Sequence, residues 1–119
     1  MARGLRISFN LHGCEGPLTV GAGLYEAVDR AFEDCGMTIL GKPHHSYPDD
    51  SANIILHLAE SHFVGGTYPK DKHFEGTLSV CFESGDNSDK LWTAFGRFVR
   101  EMRPTRGVDI SEIKYWESR

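Results

Sequence analysis

Apolar residues recur at helical spacing in two segments of the chain. The first, VGAGLYEAVDRAFEDCG (20–36), repeats apolar residues every three or four positions and ends at a glycine, which predicts an amphipathic helix. The second, NSDKLWTAFGRFVREMRP (87–104), starts with a possible cap at Asn87 or Ser88 and ends at Pro104. The apolar faces consist of Leu24, Ala27, Val28, Ala31, Phe32 and Cys35 in the first helix, and of Leu91, Phe95, Phe98 and Met102 in the second.

Other segments have the short apolar runs that are typical of strands. They are LRISFNLHG (5–13), MTILGKPHH (37–45), ANIILHLAES (52–61), GTLSVCFES (76–84) and GVDISEIKYW (107–116). In ANIILHLAES the middle is apolar on both faces, which predicts that Ile54, Leu56 and Leu58 lie at the centre of a sheet. After it, two glycines and a Tyr-Pro pair predict a loosened backbone.

The predicted order is β-α-β-β-β-α-β, with too few helices to cover both faces of a sheet. This order favours a two-layer α+β sandwich in which both helices lie on one face of a mainly antiparallel sheet. Residues 1–119 are expected to form one domain. Because the second face of the sheet is left uncovered, we expect it to be polar or to pack on another copy of the chain, most simply in a homodimer.

Composition narrows the function classes. The net charge is −4 and the pI about 5.8, which argues against a nucleic-acid partner, since binding phosphates requires a basic excess. No apolar run approaches the length of a membrane span, and the start MARGLRISF lacks the features of a signal peptide. We therefore expect a cytoplasmic protein, in which Cys14, Cys35 and Cys81 stay reduced.

The segment HLAESHFVGGTYP (57–69) holds the candidate chemistry. Ser61 and His62 make a poor hydrolase pair, because neighbouring strand side chains point to opposite faces and no nucleophile elbow is present. The order Glu60-Ser61 suits self-processing instead. The Ser61 hydroxyl attacks the Glu60 carbonyl, the amide becomes an ester, and loss of the serine α-proton breaks the chain and leaves a pyruvoyl group on the new N-terminus.

Several motifs together resemble one enzyme family. LHGCE, EDCGMTIL, AESH followed by TYP, and FESGD are similar to the bacterial and archaeal type of S-adenosylmethionine decarboxylase, the pyruvoyl enzyme of spermidine (polyamine) biosynthesis. The resemblance implies an α/β sandwich, homodimers with sites at the protomer interface, and S-adenosylmethionine as the small-molecule substrate. It implies that Ser61 is the pyruvoyl precursor, Glu60 the residue whose carbonyl is attacked, His62 the histidine after the precursor, and Tyr47 an aromatic that stacks on adenine.

Four positions depart from the family pattern. Asn53 stands where the family has a serine that assists processing, and Gly66 where it has the histidine that drives the elimination. Lys70 replaces a glutamate that holds the ribose hydroxyls, and Ser84 replaces a cysteine that reprotonates the product. A glycine cannot move a proton, a lysine opposes the sulfonium charge of the substrate, and a serine is a weaker acid than a thiol.

Residues near the departures offer partial replacements. His73 is a candidate for the missing histidine, and Glu75 or Asp71 for the missing ribose acceptor. We expect no metal site, because the adjacent histidines His44 and His45 diverge on a strand.

Two hypotheses remain open at this point. The chain is an active pyruvoyl-dependent decarboxylase with altered processing, in which Ser61 supplies the cofactor. Alternatively it is a diverged homologue, poorly or not self-processed, that needs no cofactor. Such a homologue would bind S-adenosylmethionine or a related metabolite, cleave it by another route such as lyase chemistry, or serve as a non-catalytic partner subunit.

Overall fold

Seven strands and two helices make up the part of the chain that a computed structural model describes, namely residues 3–33, 35–82 and 87–117. The helices are α1 (Leu24–Phe32) and α2 (Ser88–Met102). The strands are β1 (Arg3–Cys14), β2 (Ile39–Gly41), β3 (His44–Ser46), β4 (Ala52–Leu58), β5 (Ser61–Tyr68), β6 (His73–Cys81) and β7 (Pro104–Glu117).

All strands join one antiparallel sheet. Its order is β2-β4-β5-β6-β1-β7, and β3 pairs with β4 beside β2. The two helices contact each other and lie together on one face of the sheet, which confirms the predicted two-layer α+β sandwich with an uncovered second face.

The core between the sheet and the helices is rich in phenylalanine. The Phe9 ring lies edge-to-face against Phe95 of α2, with centroids 4.8 Å apart, and Phe63 meets Phe98 at 5.1 Å. Such pairs stabilise a core beyond their buried area. The apolar faces that the sequence predicts for both helices are buried.

Two predictions about strands are wrong. The segment 37–45 is interrupted by Lys42-Pro43, so it forms two three-residue strands instead of one. Strand β4 lies second from the edge of the main strand order, not at its centre, and only one of its faces is buried. Its outward residues Asn53 and His57 are exposed, because no second layer covers that face.

Strand β5 is the largest departure from the sequence-based prediction. Gly65 and Gly66, expected in a loosened backbone, are strand residues paired with both β4 and β6. Gly65 faces the helices, where a Cβ would overlap Cζ of Phe74. This glycine is therefore required by the core, since a phenyl ring packs directly on its backbone.

The uncovered side of the sheet, called here the open face, carries the outward residues of β4, β5, β6, β1 and β7. Ile55 and Val64 are cross-strand neighbours there and form its apolar patch, 36% and 40% exposed. A longer exposed apolar stripe lies on the edge strand β7, on the side of the sheet that holds the helices, and consists of Val108, Ile110, Ile113 and Tyr115.

Candidate functional site

The Glu60-Ser61 bond lies in the turn between β4 and β5, where hydrogen bonds hold both residues. Ser61 Oγ lies 3.2 Å from Nδ1 of His62, at hydrogen-bond distance. The Glu60 carbonyl oxygen accepts a hydrogen bond of 2.9 Å from the backbone N–H of Cys81, and Glu60 Oε1 accepts one of 3.0 Å from the backbone N–H of Thr38. The turn is thus held from both sides, and the carbonyl that would be attacked is polarised by a donor.

The contact between Ser61 and His62 corrects the argument that neighbouring side chains cannot meet. Ser61 is the first residue of β5, at the rim of the sheet, where its hydroxyl reaches the adjacent ring. Burial lowers the pKa of His62, and the charges of His57 and Arg6 lower it further. A neutral imidazole is favoured as a result, and it can accept the hydroxyl proton.

A second group of side chains surrounds Gly66 on the open face. Asn53 lies opposite Gly66 on β4 and donates a hydrogen bond of 2.9 Å from Nδ2 to the hydroxyl of Tyr47. A Cβ at position 66 would lie 3.4 Å from Asn53 Oδ1 and 3.8 Å from the hydroxyl of Tyr68. Polar atoms of two side chains thus border the space that a side chain at position 66 would enter.

Glu75 closes this group from the other side. It lies opposite Gly66 on β6, and its Oε1 accepts a hydrogen bond of 3.1 Å from the Tyr68 hydroxyl. That hydrogen bond, followed by the charge of Glu75, raises the pKa of Tyr68, so the phenol stays protonated and donates. We call the four side chains Tyr47, Asn53, Tyr68 and Glu75 the Gly66 arc.

Two side chains of the Gly66 arc, Asn53 and Glu75, line a groove of about 480 Å³ on the open face, whereas Tyr47 and Tyr68 line a neighbouring pocket of about 580 Å³ that also includes Asn53. The lining of the groove includes Asn53, Val64, Gly66 and Glu75, so apolar and polar surfaces alternate across it. A larger cavity of about 1040 Å³ adjoins it beyond Tyr68 and Glu75, and Lys70 and His73 contribute to its wall.

Lys70 lies beyond the end of β5, in the 3₁₀ turn Pro69–Asp71, and is exposed. Its charge contributes to the lowered pKa of Asp49, although the hydrogen bonds from Ser51 are the main cause. Since Asp49 follows Tyr47 in the turn after β3, Lys70 adds positive charge to the rim of the Gly66 arc.

His73 lies at the Gly66 end of the sheet, not at the Ser61 end. It is the first residue of β6, opposite Tyr68, and its Nε2 lies 2.9 Å from Oδ1 of Asn10. Burial, followed by the charge of His12, lowers its pKa. Ser61, by contrast, pairs with Val80, seven residues along β6.

The structure therefore separates the predicted site residues into two groups. Four residues of one continuous strand lie between Ser61 and Gly66, so the two positions are five residue steps apart, or about 17 Å at ~3.3 Å per residue. Glu60, Ser61 and His62 are at one end, and Tyr47, Asn53 and Glu75 at the other with Lys70 nearby. Ser84, the remaining predicted site residue, lies outside the described residues.

The adjacent histidines of β3 diverge as expected. His44 packs on Tyr25, with ring centroids 5.2 Å apart, and His45 on Tyr47, at 4.5 Å. Within residues 3–33, 35–82 and 87–117, no group of three metal-ligating side chains comes together.

Over the same residues, no helix is long and apolar enough to cross a membrane.

Sequence reasoning missed Tyr68, which joins the Gly66 arc to Glu75. The available signal was period-two alternation: in a strand, His62, Val64, Gly66 and Tyr68 share one face. The glycine pair concealed this pattern, because Gly-Gly is more typical of a turn.

Comparison with known proteins supports the fold. The chain is similar to the crystal structure of the adenosylmethionine decarboxylase from Aquifex aeolicus VF5, with a TM-score of 0.78 and 19% sequence identity over 93% of this chain and 88% of that one. No protein-family model matches the chain, and neither does any curated protein sequence. The shared fold is thus established by structure alone.

Proposed function

We propose that the chain is a diverged member of the S-adenosylmethionine decarboxylase family that binds S-adenosylmethionine or a related metabolite and is poorly or not self-processed. The observation that carries the proposal is Gly66. It lies at the centre of a group of recognition side chains but offers no group to take a proton. A positioned acid-base group is typically worth about 10²–10⁴-fold in rate, so without it we expect the elimination step to slow by a similar factor.

The proposed ligand fits the groups around Gly66. An exposed aromatic ring, Tyr47, provides a stacking surface for adenine, and the amide of Asn53 provides a hydrogen-bonding group for a sugar. Lys70 at the rim weakens the binding of a sulfonium ligand, so we expect modest affinity.

We further propose that the ligand site is shared between two copies of the chain in a homodimer. A single protomer holds its two groups of site residues about 17 Å apart, farther than one reacting centre spans. Packing two open faces together with their strands reversed would bring His62 of one copy towards the Gly66 arc of its partner. The Ile55–Val64 patch would be buried at the same time.

An active pyruvoyl-dependent decarboxylase is the second candidate, because the chain has a base and an oxyanion donor for the first processing step. Ser61 has a neutral histidine as a base, and the Glu60 carbonyl has the Cys81 amide as an oxyanion donor. In that case Ser61 becomes the pyruvoyl cofactor. Lyase chemistry or a role as partner subunit would instead leave Ser61 intact.

Calorimetric titration of S-adenosylmethionine into the wild type and Lys70→Glu tests the proposed binding. We expect weak binding by the wild type and binding at least about threefold tighter by the variant, because a repulsive charge becomes an attractive one. Lys72→Glu makes the same charge change two residues further along the chain, where Lys72 pairs with Glu15, and should have a smaller effect. No heat of binding with either the wild type or Lys70→Glu would contradict the proposal.

A further inference from the structure

Among the described residues of the open face, Glu75 is the carboxylate that forms no salt bridge, and the basic side chain that its charge reaches is His73, where burial favours the neutral form by lowering the pKa. Three acidic side chains lie on this face across β6 and β7. Asp109 is 2.8 Å from His12, and Glu112 is 3.1 Å from Arg6. For Glu75, no basic side chain of residues 3–33, 35–82 or 87–117 comes within salt-bridge distance, and its contact is the Tyr68 hydroxyl.

The place of this carboxylate is specific. Glu75 stands between Gly66 of β5 and Asn10 of β1, which are neutral residues on both neighbouring strands. Because position 66 has no side chain, the groove beside the Glu75 carboxylate is open at this point. The Tyr68 ring packs near the same glycine. A carboxylate beside aromatic rings is a common way to bind a weakly hydrated organic cation.

We infer that Glu75, held by Tyr68, is a specificity-determining residue that selects a sulfonium ligand over its neutral thioether counterpart. The inference rests on the proposed function and deepens it. It differs from a ribose-binding role for the same carboxylate. A contact with the ribose would strengthen the binding of S-adenosylmethionine and S-adenosylhomocysteine equally. A charge contact would strengthen only the binding of S-adenosylmethionine, because its sulfur carries a positive charge.

Calorimetry with both ligands tests the inference. The wild type should bind S-adenosylmethionine roughly fivefold or more tightly than S-adenosylhomocysteine, as expected for one partly exposed charge contact with aromatic support. Glu75→Gln keeps the size and the acceptor oxygen but removes the charge, so it should reduce the preference to about twofold or less. The variant should lose affinity for S-adenosylmethionine, and its affinity for S-adenosylhomocysteine should be nearly unchanged.

Two controls separate charge from structure. Asp109→Asn removes the same charge from the same face but three strands from Gly66, and should keep the preference. Tyr68→Phe keeps the ring but releases the carboxylate, and should give an intermediate preference. Melting temperatures of all variants should stay close to that of the wild type, since Glu75 and Asp109 are exposed.

The failures are distinguishable. If neither ligand binds the wild type, the proposed function is wrong. If both bind the wild type equally, or if Glu75→Gln weakens both by the same factor, ligand binding stands and the inference about charge selection is wrong. If Asp109→Asn abolishes the preference as fully as Glu75→Gln, the general charge of the face is responsible, and the specific role of Glu75 is overturned.

Discussion

At the scale of single residues, Gly65 and Gly66 are sequence neighbours with opposite roles. Gly65 faces the core and is covered by the Phe74 ring, while Gly66 faces the groove and meets its nearest neighbour at ordinary contact distance. The absence of a side chain is thus a packing requirement at one position and an open site at the next.

Alanine at each glycine should separate these roles. Gly65→Ala forces the Phe74 ring to move and should lower the free energy of unfolding by about 1–3 kcal/mol. Gly66→Ala has room and should change it by less than about 1 kcal/mol. Urea unfolding of the two variants and the wild type measures the difference. Equal effects at both positions would contradict the packing of Phe74 on β5.

The histidines predict a dependence of stability on pH. The folded chain lowers the pKa of His62 and of His73, in both cases chiefly by burial. As pH falls below about 6.5, the unfolded chain takes up these protons before the folded chain does, so stability falls and then levels off once both states are protonated. The melting temperature should be lower at pH 5.5 than at pH 7.5.

Glutamine replacements provide the control for this pH effect. The double variant His62→Gln, His73→Gln removes both titrations and should reduce the difference in melting temperature between the two pH values. An unchanged difference would assign the effect to other groups.

At the scale of elements, the sequence correctly predicts those elements that form by burying one apolar face. Helices α1 and α2 follow from apolar residues at helical spacing, because each helix buries one stripe against the sheet. Strand β5 was not predictable in this way. Gly65 is required there because the Phe74 ring of β6 packs on it, and no local sequence pattern reveals that contact. The position of β4 also depends on pairing between distant segments.

Most residues of the candidate site were predictable from the sequence, but their arrangement in space was not. Tyr47, Asn53 and Glu75 were identified individually, and Ser61 with His62 as a pair. That the two groups lie at opposite ends of one strand follows only from the continuity of β5.

At the scale of the whole molecule, two surfaces are candidates for the interface of the proposed homodimer: the open face and the apolar stripe of β7. The proposed shared site favours the open face. Light scattering at micromolar concentration should give about twice the chain mass for the wild type. Val64→Asp charges the open-face patch and should yield monomers, because a buried unpaired charge opposes association.

Ile113→Asp is the matched control for this experiment. It places the same charge on the β7 stripe, where Ile113 is 55% exposed, and should leave the dimer intact. A wild-type monomer would contradict the shared site. Dissociation by Ile113→Asp but not by Val64→Asp would move the interface to β7.

Intact mass spectrometry of the purified wild type shows whether the bond between Glu60 and Ser61 is cleaved. In the proposed homodimer, position 66 of the partner copy has no group to remove the α-proton of Ser61, so we expect the reversible shift from amide to ester to return to the amide and leave Ser61 an ordinary serine. We expect one species near 13.3 kDa. Two fragments that meet between Glu60 and Ser61, the second beginning with a pyruvoyl ketone, would contradict this expectation and favour the active decarboxylase.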